Sequence, residues 1–190
     1  MSETTPDLFD GPQLMIDIET IGLKPGCVIA SIGAVYFDGD GVGRTFYRSV
    51  DIETCADAGL AIDAETLKWW LDQPDVVQEQ LAGGEPLTSV LAALTQFCTP
   101  TNSASGPPTA YWANSPKFDM AILEAAYDAV DVGDTPWAFY ELRDYRTLST
   151  HPLAELTSTD GQEHHALDDA KSQAADVVAT YRAINEAADE

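Results

Sequence analysis

The spacing of apolar positions changes several times along the chain, and each change marks a different kind of element. Residues 14–19 read as a short strand and 28–37 as a second, rich in β-branched and aromatic side chains. Residues 45–50 read as a third strand, with Gly39 and Gly41 supplying the turn before it. Together these predict an antiparallel meander. Helical spacing follows. Residues 63–72 open with Asp63 as a cap, 76–81 add a further turn or two, and 87–97 carry Leu87, Val90, Leu91, Leu94 and Phe97 on one stripe. The order then alternates: a strand at 109–113, a helix at 116–130 with Ser115 as N-cap and Pro116 first, a strand at 139–142, a short helix at 145–150 and a long closing helix at 166–187. Residues 99–108 and 152–165 read as loops. The pattern predicts an α/β fold with one domain over 13–184, between a flexible N-terminal tail (1–12) and an acidic C-terminal tail (185–190).

Composition changes this picture in one respect. Apolar residues are 45% and charged residues 22% of the chain, ordinary for a globular protein, but the net charge is −23. Such a surface opposes capture by anionic membrane and, on its face, by nucleic acid. Cys27, Cys55 and Cys98 form no C-x-x-C pair and no even set, which argues against a zinc ribbon, a redox dithiol or a disulfide scaffold and fits a reducing, cytoplasmic setting. The first dozen residues lack the basic-then-apolar pattern of a signal peptide, and the longest nearly apolar run, 27–37, is well short of the roughly 20 residues of a membrane span. No membrane anchor is expected.

Three sets of polar residues sit where the pattern calls for apolar ones. Alternation in the first strand puts Asp17 and Glu19 on one face, where they repel unless the strand end is open or a cation lies between them. Taken alone, the pair fits a solvated edge strand equally well. Asp119 aligns with Ile122, Leu123, Ala126 and Val130 on the apolar stripe of its helix, so it needs a metal, a basic partner such as Lys117, or a set of hydrogen bonds. In His164-His165-Ala166-Leu167-Asp168-Asp169, the stripe through Ala170, Ala174 and Val177 leaves Asp169 on its border, with His164 in the loop before it. An unperturbed imidazole titrates at about 6.5, which suits a histidine beside a fixed carboxylate to proton transfer. Four oxygen ligands describe a site for a hard divalent cation rather than zinc. Mg²⁺ or Mn²⁺ among carboxylates is the equipment of two-metal phosphoryl chemistry.

Asp17-Ile18-Glu19-Thr20, Asn114-Ser115-Pro116-Lys117-Phe118-Asp119 and the His164–Asp169 segment resemble, in order and spacing, the three motifs of the DEDDh 3'-to-5' exonucleases of the ribonuclease T and proofreading superfamily. Ser31-Ile32-Gly33-Ala34-Val35, Leu67-Lys68-Trp69-Trp70 and Arg143-Asp144-Tyr145-Arg146-Thr147-Leu148 resemble the small exonuclease VIII-like branch of bacteria and phages. The resemblance spans residues 13–184. It implies an RNase H-like fold with a central mixed five-stranded sheet flanked by helices, and two divalent cations, Mg²⁺ or Mn²⁺. Asp17 would bridge both ions, Glu19 and Asp169 would hold the one that activates water, Asp119 would hold or orient the second, and His164 would be the general base. The expected substrate is a single-stranded or 3'-overhanging end of DNA or RNA, released as nucleoside 5'-monophosphates, with activity falling in acid as His164 protonates. For the substrate, the resemblance places Thr20 and Ile21 against the terminal nucleotide, with Asn114 and Phe118 beside it. Trp69 and Trp70 point about 100° apart on a helix, so one, taken as Trp70, stacks on a base or else covers a neighbouring helix or subunit. Arg146, with Arg143 and Lys117, either neutralises phosphates or is solvated. A homodimer is a further expectation.

The charge admits two readings within this framework. Bound cations and a few local bases suffice for a short strand end, or the protein works in concentrated salt, where a Debye length of about 3 Å at 1 M removes long-range repulsion. Four lysines in the chain lean toward the second. The alternative from another class is a non-catalytic acidic protein that mimics nucleic acid or docks on a basic partner. It accounts for the charge but not for the ordered carboxylates.

Overall fold

A computed structural model describes residues 9–100, 106–157, 161 and 164–188. The first alternating segment forms β1 (Gln13–Thr20), which pairs antiparallel with β2 (Ile29–Asp38), itself antiparallel to β3 (Gly41–Ser49). β3 begins at Gly41, four residues before the expected start. Gly41 takes φ 131°, a value side chains rarely allow, and so closes the hairpin tightly enough to pair with Asp38. The chain continues through α1 (Ile52–Asp57), α2 (Ala64–Leu71), α3 (Asp75–Gln78), a 3-10 turn at Glu79–Leu81 and α4 (Leu87–Cys98). Next come β4 (Ala110–Ala113), α5 (Asp119–Val130), a 3-10 turn at Phe139–Glu141, β5 (Leu142–Asp144), α6 (Tyr145–Ser149) and α7 (Ala166–Ala188). Strand order is β3-β2-β1-β4-β5, with β4 parallel to both β1 and β5, which is the mixed five-stranded sheet expected for an RNase H-like fold.

β1 lies at the centre of the sheet and is covered on both sides. Leu14, Ile16 and Ile18 enter one core with Leu91, Leu94, Ile122 and Leu123 of α4 and α5. Met15, with Val35, Phe37 and Trp112, meets Ala170, Ala174 and Val177 of α7 on the other. The small residues on that face of α7 let it lie close to the strands.

Several boundaries move for local reasons. α1 was not anticipated: it has six residues, one buried side chain (Cys55) and a cap from Asp51 to the Glu53 amide, too short for periodicity to show. The strand expected at 139–142 begins instead at Leu142, because Glu141 accepts a hydrogen bond from the Ala138 amide at 2.7 Å and closes a 3-10 turn that leaves Phe139 and Tyr140 exposed. α5 starts at Asp119 rather than Pro116, after a turn in which the Phe118 and Asp119 amides both donate to the Ser115 carbonyl. α7 runs on to Ala188, and Phe9 packs against Phe37 and Tyr181, so ordered structure reaches into both expected tails. Residues 1–8 and 189–190 lie outside the described residues.

Candidate active site

The site forms where β1, β4 and the start of α7 meet. The alternation of β1 turns Asp17 and Glu19 toward α7, and a register shift between Glu19 and Thr20 ends regular pairing at that point. Gly33 lies opposite Asp17 on β2. A β-carbon there would sit 2.3 Å from Ala166 C and Leu167 N, so the absence of a side chain lets α7 begin directly over the strand. Asp169, three residues into that helix, then reaches the other two acids. Asp17, Glu19 and Asp169 each offer a carboxylate oxygen within 4.8 Å of the others. One turn further along α7, Gln173 donates its side-chain amide to Asp17 Oδ1 at 3.0 Å, while its own buried Oε1 finds no hydrogen-bond partner among the described residues.

Burial and mutual repulsion both oppose charge in this cluster. Burial, with Asp119 and Glu19 beside it, holds the Asp17 carboxyl well above the ordinary carboxylate range, partly offset by the Gln173 hydrogen bond. Burial, then Asp169 and Asp119, pushes Glu19 up to about 8. Asp119 is pushed up to about 6 by burial, against hydrogen bonds from backbone amides and the positive charge of Arg146. Its oxygens are not part of the close trio: Asp119 Oδ2 accepts from the Ser115 amide at 3.2 Å. Buried and half-buried carboxylates that repel one another are stabilised by a cation between them, so the donor set fits a hard divalent cation.

Two hollows adjoin the acids. The smaller, about 240 Å³, is lined by Asp17, Asn114, Ser115, Phe118, Asp119 and Arg146, and the Arg146 amide donates to the Asn114 carbonyl. The larger, about 450 Å³ and mostly apolar, lies between the end of β1 and α2, with Glu19, Leu23, Trp69 and Phe118 in its wall. His164 takes φ 60° and meets the Trp69 ring edge-on, centroids 4.8 Å apart, while its carbonyl accepts from Gln80 Nε2 at 2.6 Å. His165 turns the other way, stacked on Tyr47 with Nδ1 3.3 Å from Asp168.

Two expected substrate contacts are corrected. Trp70 is the inward tryptophan, 1% exposed, and its indole N–H donates to the Thr20 carbonyl; Trp69, 40% exposed, is the one with a face to offer. The Ile21 side chain is fully buried in the β1 core because its amide pairs with the Val28 carbonyl, so it is no wedge; Leu23, two residues on, is the exposed apolar side chain. Thr20 is buried and its hydroxyl donates to the Gly22 carbonyl. The sequence pattern does not by itself mark Gln173 as part of the site, nor the close approach at Gly33. Once Asp169 is placed, Gln173 has a legible signal, since it follows Asp169 by four residues on one helix face.

Comparison with known proteins agrees with this geometry. The family profile of the 3'-5' exoribonuclease Rv2179c-like domain matches residues 12–181. No curated protein matches the chain. Among solved structures, the nuclease domain of 3'hExo, a DEDDh family member bound to rAMP, is similar with a TM-score of 0.59 at 15% identity, covering 96% of this chain and 94% of that one. Cell-death related nuclease 4 (CRN-4) follows at TM-score 0.57 and 14% identity, covering 94% of this chain and 64% of that one. Exonuclease X in complex with 5' overhanging duplex DNA gives 0.52 and 14%, covering 93% and 92%. These neighbours share the fold, and the family match spans nearly the whole chain: the protein belongs to the 3'-5' exoribonuclease Rv2179c-like family and is a 3'-5' exonuclease.

Proposed function

We propose that the protein removes nucleotides one at a time from the 3' end of single-stranded RNA, using two divalent cations, Mg²⁺ or Mn²⁺, and releasing nucleoside 5'-monophosphates. The convergence of Asp17, Glu19 and Asp169 carries the reading. Those three would hold one ion, and Asp17 with Asp119 would hold the second. Bound ions supply charge stabilisation of the attacking and leaving oxygens. The choice of RNA rests on the description of the matched family.

The chain's own groups do the rest. His164 takes the proton from the attacking water as general base. Arg146, beside Asp119 in the smaller hollow, neutralises the scissile phosphate, with Asn114 beside it. The terminal base enters the larger hollow against Trp69 and Phe118, where stacking is indifferent to base identity. Thr20 lines that hollow at the end of β1.

The test uses 5'-labelled single-stranded RNA and DNA of one sequence, with EDTA, Mg²⁺ or Mn²⁺, beside Asp17→Asn and His164→Ala. A metal-dependent ladder from the 3' end, faster on RNA and lost in both variants, is expected. A preference for DNA overturns the substrate assignment. Absence of any shortening overturns the catalytic reading and favours the acidic partner-docking alternative.

A further inference from the structure

We propose that Trp69 is a positioning residue that couples occupancy of the base hollow to the placement of His164. The inference rests on the reading of His164 as general base given above. Two separate elements hold this histidine. Gln80, in the 3-10 turn after α3, fixes its backbone through the carbonyl, and the Trp69 ring of α2 meets its imidazole edge-on at 4.8 Å. The backbone lies in the left-handed region (φ 60°), uncommon for a residue with a side chain and dependent on such surroundings.

The same indole forms part of the wall of the 450 Å³ hollow. Its neighbour Trp70 anchors α2 to the end of β1 through the Thr20 carbonyl, so the backbone at Trp69 is tied to the strand while its ring, 40% exposed, meets Trp70 and His164 edge-on and leaves one side to the hollow. A base filling the hollow packs against that open side and holds the ring from both sides. Edge-to-face aromatic pairs depend on ring orientation, so fixing Trp69 also fixes the imidazole it touches. The enzyme then places its base for proton transfer only when a nucleobase is seated, and a strand end lacking one binds without being positioned for cleavage.

The experiment measures single-turnover rates at saturating enzyme on one RNA ending in adenosine or in an abasic unit, for the wild type, Trp69→Leu and Trp69→Phe. In the wild type the abasic end is expected to lower the rate constant about a hundredfold, the lower end of what a positioned general base contributes. In Trp69→Leu the adenosine end is cut about as slowly, and removing the base costs nothing further, because both changes break one coupling. Trp69→Phe retains a ring edge and recovers much of the rate. If the abasic end and Trp69→Leu weaken only substrate affinity and leave the rate constant unchanged, or if the two losses multiply, the coupling is wrong. If the wild type cleaves neither substrate, the nuclease reading itself fails, and the coupling with it.

Discussion

Gln173 on α7 and Asp17 on β1 are joined by a 3.0 Å hydrogen bond in which the amide N–H₂ donates to Oδ1, tying the closing helix to the central strand at the acid common to both proposed ions. One Asp17 oxygen is thereby oriented within the acid cluster. Groups that orient a metal ligand typically govern affinity by about 10- to 100-fold. Gln173→Leu is therefore expected to raise the Mg²⁺ concentration for half-maximal activity within that range, as read from a metal titration. An unchanged titration would remove Gln173 from the machinery.

The approach of α7 to β2 at Gly33 gives a second expectation. Gly33→Ala places a methyl 2.3 Å from Ala166 C and Leu167 N, backbone atoms that cannot turn aside. The start of α7 must shift and take Asp169 with it. Overpacking of this kind costs about 1–3 kcal/mol or more. Thermal denaturation should show that loss, together with weaker metal binding. A variant with normal stability and activity would mean that α7 can move without cost.

Metal-free protein should lose stability as pH rises. Glu19 and Asp119 bind protons more tightly folded than unfolded, at about 8 and about 6, Glu19 through burial with repulsion from Asp169 and Asp119, and Asp119 through burial. Their contribution is full below the unfolded carboxylate range and is lost as pH climbs through those folded values. In EDTA the melting temperature is expected to fall between pH 5 and pH 9, and added Mg²⁺ should raise it more at pH 9 than at pH 5. A melting temperature that climbs with pH in EDTA would contradict the arrangement.

Neutralising one of these acids should separate stability from activity. Asp119→Asn removes a buried like charge from beside Asp17 and Glu19 while its amide oxygen can still accept from Ser115. Above pH 7 and without metal, the variant is expected to melt higher than the wild type, yet to cleave RNA far more slowly. Both are read on one preparation, by calorimetry and by the ladder assay.

The net charge of −23 predicts an inverted salt dependence. Most nucleic-acid binders weaken as salt rises because they release counterions. Here screening removes long-range repulsion, and KM for RNA should fall as KCl is raised toward about 1 M, where the Debye length is about 3 Å. A KM that climbs steadily with salt would show that local bases dominate over the acidic surface.

The sequence by itself determined the face of β1 that carries Asp17 and Glu19, the meander, the parallel second half and the closing helix, because strand and helix periods are properties of the local chain. It also marked Asp119 and Asp169 as out of place among apolar neighbours. Tertiary structure alone decided which tryptophan faces solvent: Trp69 and Trp70 are adjacent and chemically equal, and only the Thr20 carbonyl at the end of β1 selects Trp70 for the interior. It likewise set the surroundings of the two adjacent histidines, His164 against Trp69 of α2 and His165 against Tyr47 of β3. The start of α5 at Asp119 and the burial of Ile21 belong to the same class. Each depends on a partner tens of residues away or on a single turn hydrogen bond, and neither leaves a period in the sequence from which it can be read.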